Sequence, residues 1–120
     1  EEEKKLIELY SSVDVFLVPS LVETFGQVVA EASSCATPVI CFNTSGHKDL
    51  VIHKKTGFLA DEFSARSFAL SIKKFFELSE NEKVLMGADA RSHIVKNFSY
   101  KILKKKYQKI IDQSELIKKS

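Results

Sequence analysis

From Val13 to Val18 only Asp14 interrupts a run of branched and aromatic apolar residues, the pattern of a strand buried on both faces of a parallel sheet. Pro19 and Ser20 end the run, because proline has no N–H to give to a sheet ladder. The period then changes. Phe25, Val28, Val29, Ala32 and Ala36 recur every third or fourth residue, which predicts a helix over 25–35 with one apolar face on the sheet. Thr24 and Gln27 stand at the spacing of a capping box and place its start near Phe25. Val39 to Phe42 and Gly57 to Leu59 read as two further strands, with a turn of helix around residues 48–52 between them. Helices are predicted over 64–78, 81–97 and 99–118, and the opening from Glu1 to Tyr10 reads as a helix leading straight into the first strand. In the helix over 64–78, Phe68, Leu70, Ile72, Phe75 and Phe76 make a broad buried side.

Strands alternating with helices imply right-handed crossovers and parallel pairing. The fold class is therefore α/β: a partial Rossmann-like, three-layer domain with a short parallel sheet of about three strands flanked by helices, and a helical C-terminus. Open sheets of this kind bind ligands at the carboxyl ends of their strands, where the following helix presents free N–H groups suited to an anion.

That rule draws attention to the segment after the first strand. Glu23 falls in the loop and Glu31 lies two helical turns further on, about 10 Å away along a helix rising about 1.5 Å per residue. Gln27 and Glu31 share the polar stripe of the helix, and Gly26, lacking a Cβ, lets a ligand approach the backbone. Two carboxylates so spaced can each accept a pair of hydroxyl hydrogen bonds from different parts of one long ligand, such as a sugar and a ribose. Gly46, in the polar loop Asn43-Thr44-Ser45-Gly46-His47-Lys48-Asp49, either adds backbone donors for that ligand or simply serves a turn.

The stretches Asp14-Val15-Phe16-Leu17-Val18-Pro19-Ser20, Glu23-Thr24-Phe25-Gly26 through Glu31-Ala32, Ala36-Thr37-Pro38-Val39-Ile40, Ser45-Gly46-His47-Lys48-Asp49-Leu50-Val51 and Lys55-Thr56-Gly57-Phe58-Leu59 follow one another in a telling order. Together they resemble the nucleotide-sugar-dependent retaining glycosyltransferases of family 4, which have the GT-B architecture of two facing Rossmann-like domains. The resemblance implies that Glu23 bonds hydroxyls of the donor sugar as the catalytic-site carboxylate and that Thr24, Phe25, Gly26 and Gln27 surround the sugar or diphosphate. It further implies that Glu31 holds the ribose and that the loop of Gly46 lies near the donor. A nucleotide-diphosphate sugar is the implied substrate, with no metal and no other cofactor indicated. Two positions depart from the family: Thr24 and Ala36 stand where glycine is common.

At 120 residues the chain suffices for one domain, not two. The resemblance implies that residues 1–120 are the C-terminal half of the donor-binding domain, with the N-terminal acceptor domain absent, along with the strand–helix units whose arginine and lysine neutralise the donor diphosphate. An apolar first strand without neighbours is an edge open to self-association. Eighteen basic against sixteen acidic residues, a net charge of +2, leave little electrostatic footprint for nucleic acid. No apolar run approaches the roughly 20 residues of a membrane span, and the acidic opening is unlike a secretory signal, so a cytoplasmic location is expected. Residues 101–119 hold seven lysines and two acids among Tyr107, Ile110 and Ile111 at helical spacing, a basic amphipathic pattern that suits a peripheral membrane contact or an acidic partner, while the resemblance implies packing on the first domain. Cys35 and Cys41 read as core residues, His47 and His53 as surface residues and His93 as structural. Gly57 reads as serving a tight turn.

Two readings remain at this point. One is the donor-side part of a retaining glycosyltransferase, inactive in isolation; the other is a non-catalytic Rossmann-like binding or assembly module with weak donor binding or none.

Overall fold

The computed structural model describes residues 2–19, 26–44 and 47–97. Over them the elements run α1 (Glu2–Ser12), β1 (Phe16–Val18), α2 (Gly26–Ser34), β2 (Val39–Phe42), β3 (Gly57–Ala60), α3 (Ala65–Phe76) and α4 (Glu80–Asn97). The strands form one sheet in the order β1-β2-β3, all parallel, with Val18 opposite Cys41 and Cys41 opposite Leu59. The expected α/β architecture is therefore present. The helix expected over 99–118 lies outside the described residues.

Side chains alternate across the sheet as a pleated strand requires, and two cores result. Val39 and Cys41 face one side, where Ile7 and Tyr10 of α1 and Val29 and Ala32 of α2 complete a core of small and aliphatic residues. Ile40 and Phe42 face the other side and meet Phe58, Phe68 and Phe75, with Met86 of α4. Every residue of β2 is buried, as befits a central strand. β1 is shorter than the predicted run over 13–18 and is not buried on both faces: Leu17 is 42% exposed. Its partner across the ladder, Ile40, is covered by the aromatic core, which does not extend over β1.

Local signals explain the helix ends. Ser64 caps α3 by accepting from the Ser67 N–H at 3.0 Å. α4 opens with a capping box, in which Ser79 N–H donates to Glu82 Oε1 at 2.9 Å and Glu82 N–H to Ser79 Oγ at 3.1 Å. That backbone hydrogen bond holds the Glu82 carboxyl below its usual range. The predicted buried side of α3 proves narrower, because the sheet beneath it takes only Phe68, Ser71, Ile72 and Phe75. Leu70 and Phe76 are about half exposed, and the Lys83 ammonium lies over Phe76, 5.3 Å from the ring centroid.

The turn from α2 to β2 is the most tightly built part of the scaffold. Thr37 N–H reaches Ala32 O at 3.0 Å and Ala36 N–H reaches Ser33 O at 3.0 Å, the paired bonds of a Schellman motif. Ala36 occupies its left-handed position with φ of 59°. Arg91 Nη1 donates to Ser34 O at 3.1 Å from α4. On the same helix Gly87 has no room for a side chain, since a Cβ there would stand 2.2 Å from Ala36 O. Gly57 is glycine for a similar reason rather than for the turn expected of it. Its φ is not positive, but a Cβ would stand 2.2 Å from Val39 O of the neighbouring strand. Lys54, at φ 70°, takes the left-handed position of that turn.

Candidate functional site

Parallel pairing brings the carboxyl ends of β1, β2 and β3 to one edge of the sheet. Pro19, Asn43 and Asp61 follow them there. Helix α2 runs from Gly26 at this edge, and the first four N–H groups of a helix lack acceptors inside it. Gly26 is half-buried and Gln27 exposed. Glu31 lies further along, about 7.5 Å from Gly26 on a helix rising about 1.5 Å per residue. Glu23, Thr24, Phe25 and Gly46 lie outside the described residues, so the site's described part consists of Gly26, Gln27 and Glu31.

Glu31 does not simply face away from the core on a polar stripe. It is half-buried beside α1, where the Tyr10 hydroxyl donates to its Oε2 at 3.2 Å. Tyr10 is itself buried, packs edge-on against Phe16 with ring centroids 5.1 Å apart, and offers its backbone carbonyl to Thr37 Oγ1 at 2.6 Å. Nothing local in the sequence marks a tyrosine on one helix as the partner of a glutamate 21 residues away, so this contact emerges only from the fold.

A second feature lies beyond β2. His47, expected at the surface, is fully buried. The chain turns over residues 47–50, with Val51 N–H bonded to His47 O at 3.1 Å, and His93 of α4 contacts Asp49 O at 2.9 Å from outside. His47 Nδ1 stands 3.2 Å from Phe42 O. A carbonyl only accepts, so Nδ1 carries the proton of this bond. Both Nε2 and the nearby Thr44 Oγ1 are buried without a hydrogen-bond partner, each at a cost of about 1–3 kcal/mol. Such atoms suit a hydroxyl-bearing ligand at this edge. The signal available in sequence was the polar small-residue context of the loop, which reads equally well as solvated.

The other candidates fall into plain structural roles. Cys35 and Cys41 are buried, and burial pushes the Cys41 thiol up to about 12, leaving it protonated and non-nucleophilic at neutral pH. His53 is exposed and accepts from the Leu59 N–H at 3.0 Å. Among the described residues no three His, Cys, Asp or Glu side chains converge to hold a metal, and no helix is long and apolar enough to cross a membrane.

Comparison with known proteins places this geometry in context. The family model described as "Glycosyl transferases group 1" matches residues 1–93. A D-inositol 3-phosphate glycosyltransferase of Corynebacterium jeikeium is 32% identical over 110 residues, covering 92% of this chain and 26% of the relative. The capsular polysaccharide biosynthesis glycosyltransferase CapM of Staphylococcus aureus is 30% identical over 113 residues, covering 91% of this chain and 30% of the relative. A D-inositol 3-phosphate glycosyltransferase of Xylanimonas cellulosilytica is 40% identical over 60 residues, covering 50% of this chain and 14% of that protein. The chain thus spans between about a quarter and a third of the length of the first two relatives.

Proposed function

The chain belongs to the glycosyl transferases group 1 family, and from that premise we propose that it forms the donor side of a retaining glycosyltransferase, binding a nucleotide-diphosphate sugar at the carboxyl edge of its sheet. The observation that carries the reading is the start of α2 at that edge with Glu31 held on its flank by Tyr10. The open N–H groups and the positive end of the helix dipole suit the diphosphate. Stabilising a departing diphosphate is how a site without a nucleophile of its own promotes glycosyl transfer. Glu23 orients the donor sugar through its hydroxyls, Glu31 accepts the ribose hydroxyls, and the amides near Phe25 and Gly26 meet the diphosphate. Gly46 and its loop complete the sugar side.

Acceptor binding belongs, on this reading, to a further domain, the basic diphosphate ligands belong to further strand–helix units of the donor domain, and residues 1–120 alone are inactive. The names of the relatives point to a glycan or a phosphorylated polyol as the class of acceptor. An apolar groove lined by Leu9, Tyr10, Phe16, Leu17 and Val18 flanks β1. It supports continuation of the sheet at that edge, by more of the same protein or by a second copy. A cytoplasmic location, with at most peripheral membrane contact, belongs to the same reading.

The test is calorimetric titration with UDP-, GDP- and ADP-sugars, followed by Glu31→Ala with whichever donor binds. Hydrogen bonds to a charged group contribute about 1.5–3 kcal/mol, so the variant should bind at least about tenfold more weakly. Absence of binding by every donor, with the circular dichroism of a folded α/β protein, would leave the non-catalytic module.

A further inference from the structure

We propose that Tyr10 is a positioning residue of the donor site, holding the Glu31 carboxylate in the conformation that receives the two ribose hydroxyls. The inference rests on the donor reading of Glu31 and goes beyond it, because Tyr10 lies on another helix and outside the loop–helix segment assigned to the ligand.

A glutamate side chain has several rotatable bonds, and fixing them opposes binding unless the folded protein has already done so. Tyr10 is equipped to do it. Its ring is 3% exposed and packed edge-on against Phe16 at an interplanar angle of 68°, which fixes the plane and direction of the phenol. Its backbone is anchored independently. Tyr10 O is one of the last four carbonyls of α1, which find no acceptor-to-donor partner within the helix, and Thr37 Oγ1 donates to it at 2.6 Å. Thr37 itself belongs to the turn that closes α2. One residue of α1 is therefore tied both to the middle of α2, through Glu31, and to its C-terminal turn, through Thr37. The 3.2 Å separation of the phenol from Oε2 is longer than the usual O–H···O bond, and its role is orientation rather than strong attraction.

The test compares Tyr10→Phe, Glu31→Ala and the double variant in the intact protein that carries this chain. Calorimetry is run with UDP, GDP and ADP, and then with the 2′,3′-dideoxy form of whichever binds. Tyr10→Phe keeps the ring and its packing. Loss of one long, orienting hydrogen bond should weaken the ribonucleotide about fivefold to tenfold, within the range of an ordinary hydrogen bond, leave the dideoxy form unchanged, and so narrow the ratio between them. Glu31→Ala should narrow that ratio further, with the double variant no weaker than Glu31→Ala, the non-additivity expected of two residues acting through one contact. Equal weakening of both nucleotides by Tyr10→Phe would reveal a packing role and overturn the inference. A ratio narrowed by Glu31→Ala and untouched by Tyr10→Phe would overturn it alone. A ratio that Glu31→Ala leaves unchanged, or no binding by any nucleotide, would overturn the donor reading of Glu31 and the inference with it.

Discussion

The two ends of α2 are built to opposite specifications. At the C-terminal end each of the last four carbonyls, from Glu31 to Ser34, has a donor, supplied by the amides of Cys35, Ala36 and Thr37 and by Arg91 of α4. At the N-terminal end the helix faces the carboxyl edge of the sheet with a glycine and an exposed glutamine, and no acidic residue occupies its first turn. A helix end closed by its own protein anchors the scaffold, and on the donor reading the N–H groups of the other end meet an anion. Substitutions at the closed end should therefore register as stability, and those toward the open end as affinity.

The sharpest way to break the closed end is Gly87→Val. Its Cβ would stand 2.2 Å from the Ala36 carbonyl, a backbone atom held by the Schellman turn. Relief requires α4 to move off α2, and overpacking of this kind costs about 3 kcal/mol or more. Urea unfolding measures it; a loss under about 1 kcal/mol would mean that the two helices slide freely and that the turn is not the anchor described.

Thr37→Val probes the same end more gently. The side chain keeps its shape and loses the hydroxyl that satisfies Tyr10 O, in a position that is fully buried. Leaving a buried acceptor unpaired should cost about 1–3 kcal/mol. This variant also links the two ends, because Tyr10 carries the bond to Glu31. If the closed end only stabilises, donor affinity measured well below the unfolding temperature should be unchanged. A selective loss of ribonucleotide affinity would show instead that Thr37 helps to aim the carboxylate.

The elements that sequence revealed most cleanly are those governed by a local period. β2 has the bounds its apolar run predicted, α4 begins within one residue of expectation at its capping box, and α2 follows the spacing of Val28, Val29 and Ala32. What escaped prediction depends on neighbours remote in the chain. Val13 to Val18 looks like a central strand because the run is apolar, and whether both faces of Leu17 are covered is decided by α3, some 50 residues later. His47 sits among polar residues and is buried by a fold-back of the chain that no local pattern announces. Gly57 was legible as a necessary glycine, but its reason, the approach of the Val39 carbonyl, belongs to another strand. For the site, the helix carrying Gly26, Gln27 and Glu31 was visible from its periodicity, whereas Tyr10 and the unpartnered atoms of Thr44 and His47 emerged only from packing.

Ala36 gives the smallest effect and the finest distinction between the two ends. It departs from the glycine common to the resembling family, and its φ of 59° places it in the left-handed region that glycine enters freely. An L-residue with a Cβ pays about 1–2 kcal/mol there, while glycine's greater freedom in the unfolded chain returns about 0.4–1 kcal/mol. Ala36→Gly should therefore stabilise the protein by about 0.5–1 kcal/mol, a rise in melting temperature of about 2–4 °C for a domain of this size. The Ala36 carbonyl stays against Gly87 and the Schellman bonds are retained, so the path of α2 is unchanged and donor affinity should not move. A destabilised Ala36→Gly would show that the alanine methyl group packs against the scaffold with more energy than the strained dihedral consumes. A change in affinity without one in stability would mean that the closed end, for all its hydrogen bonds, still communicates with the open one.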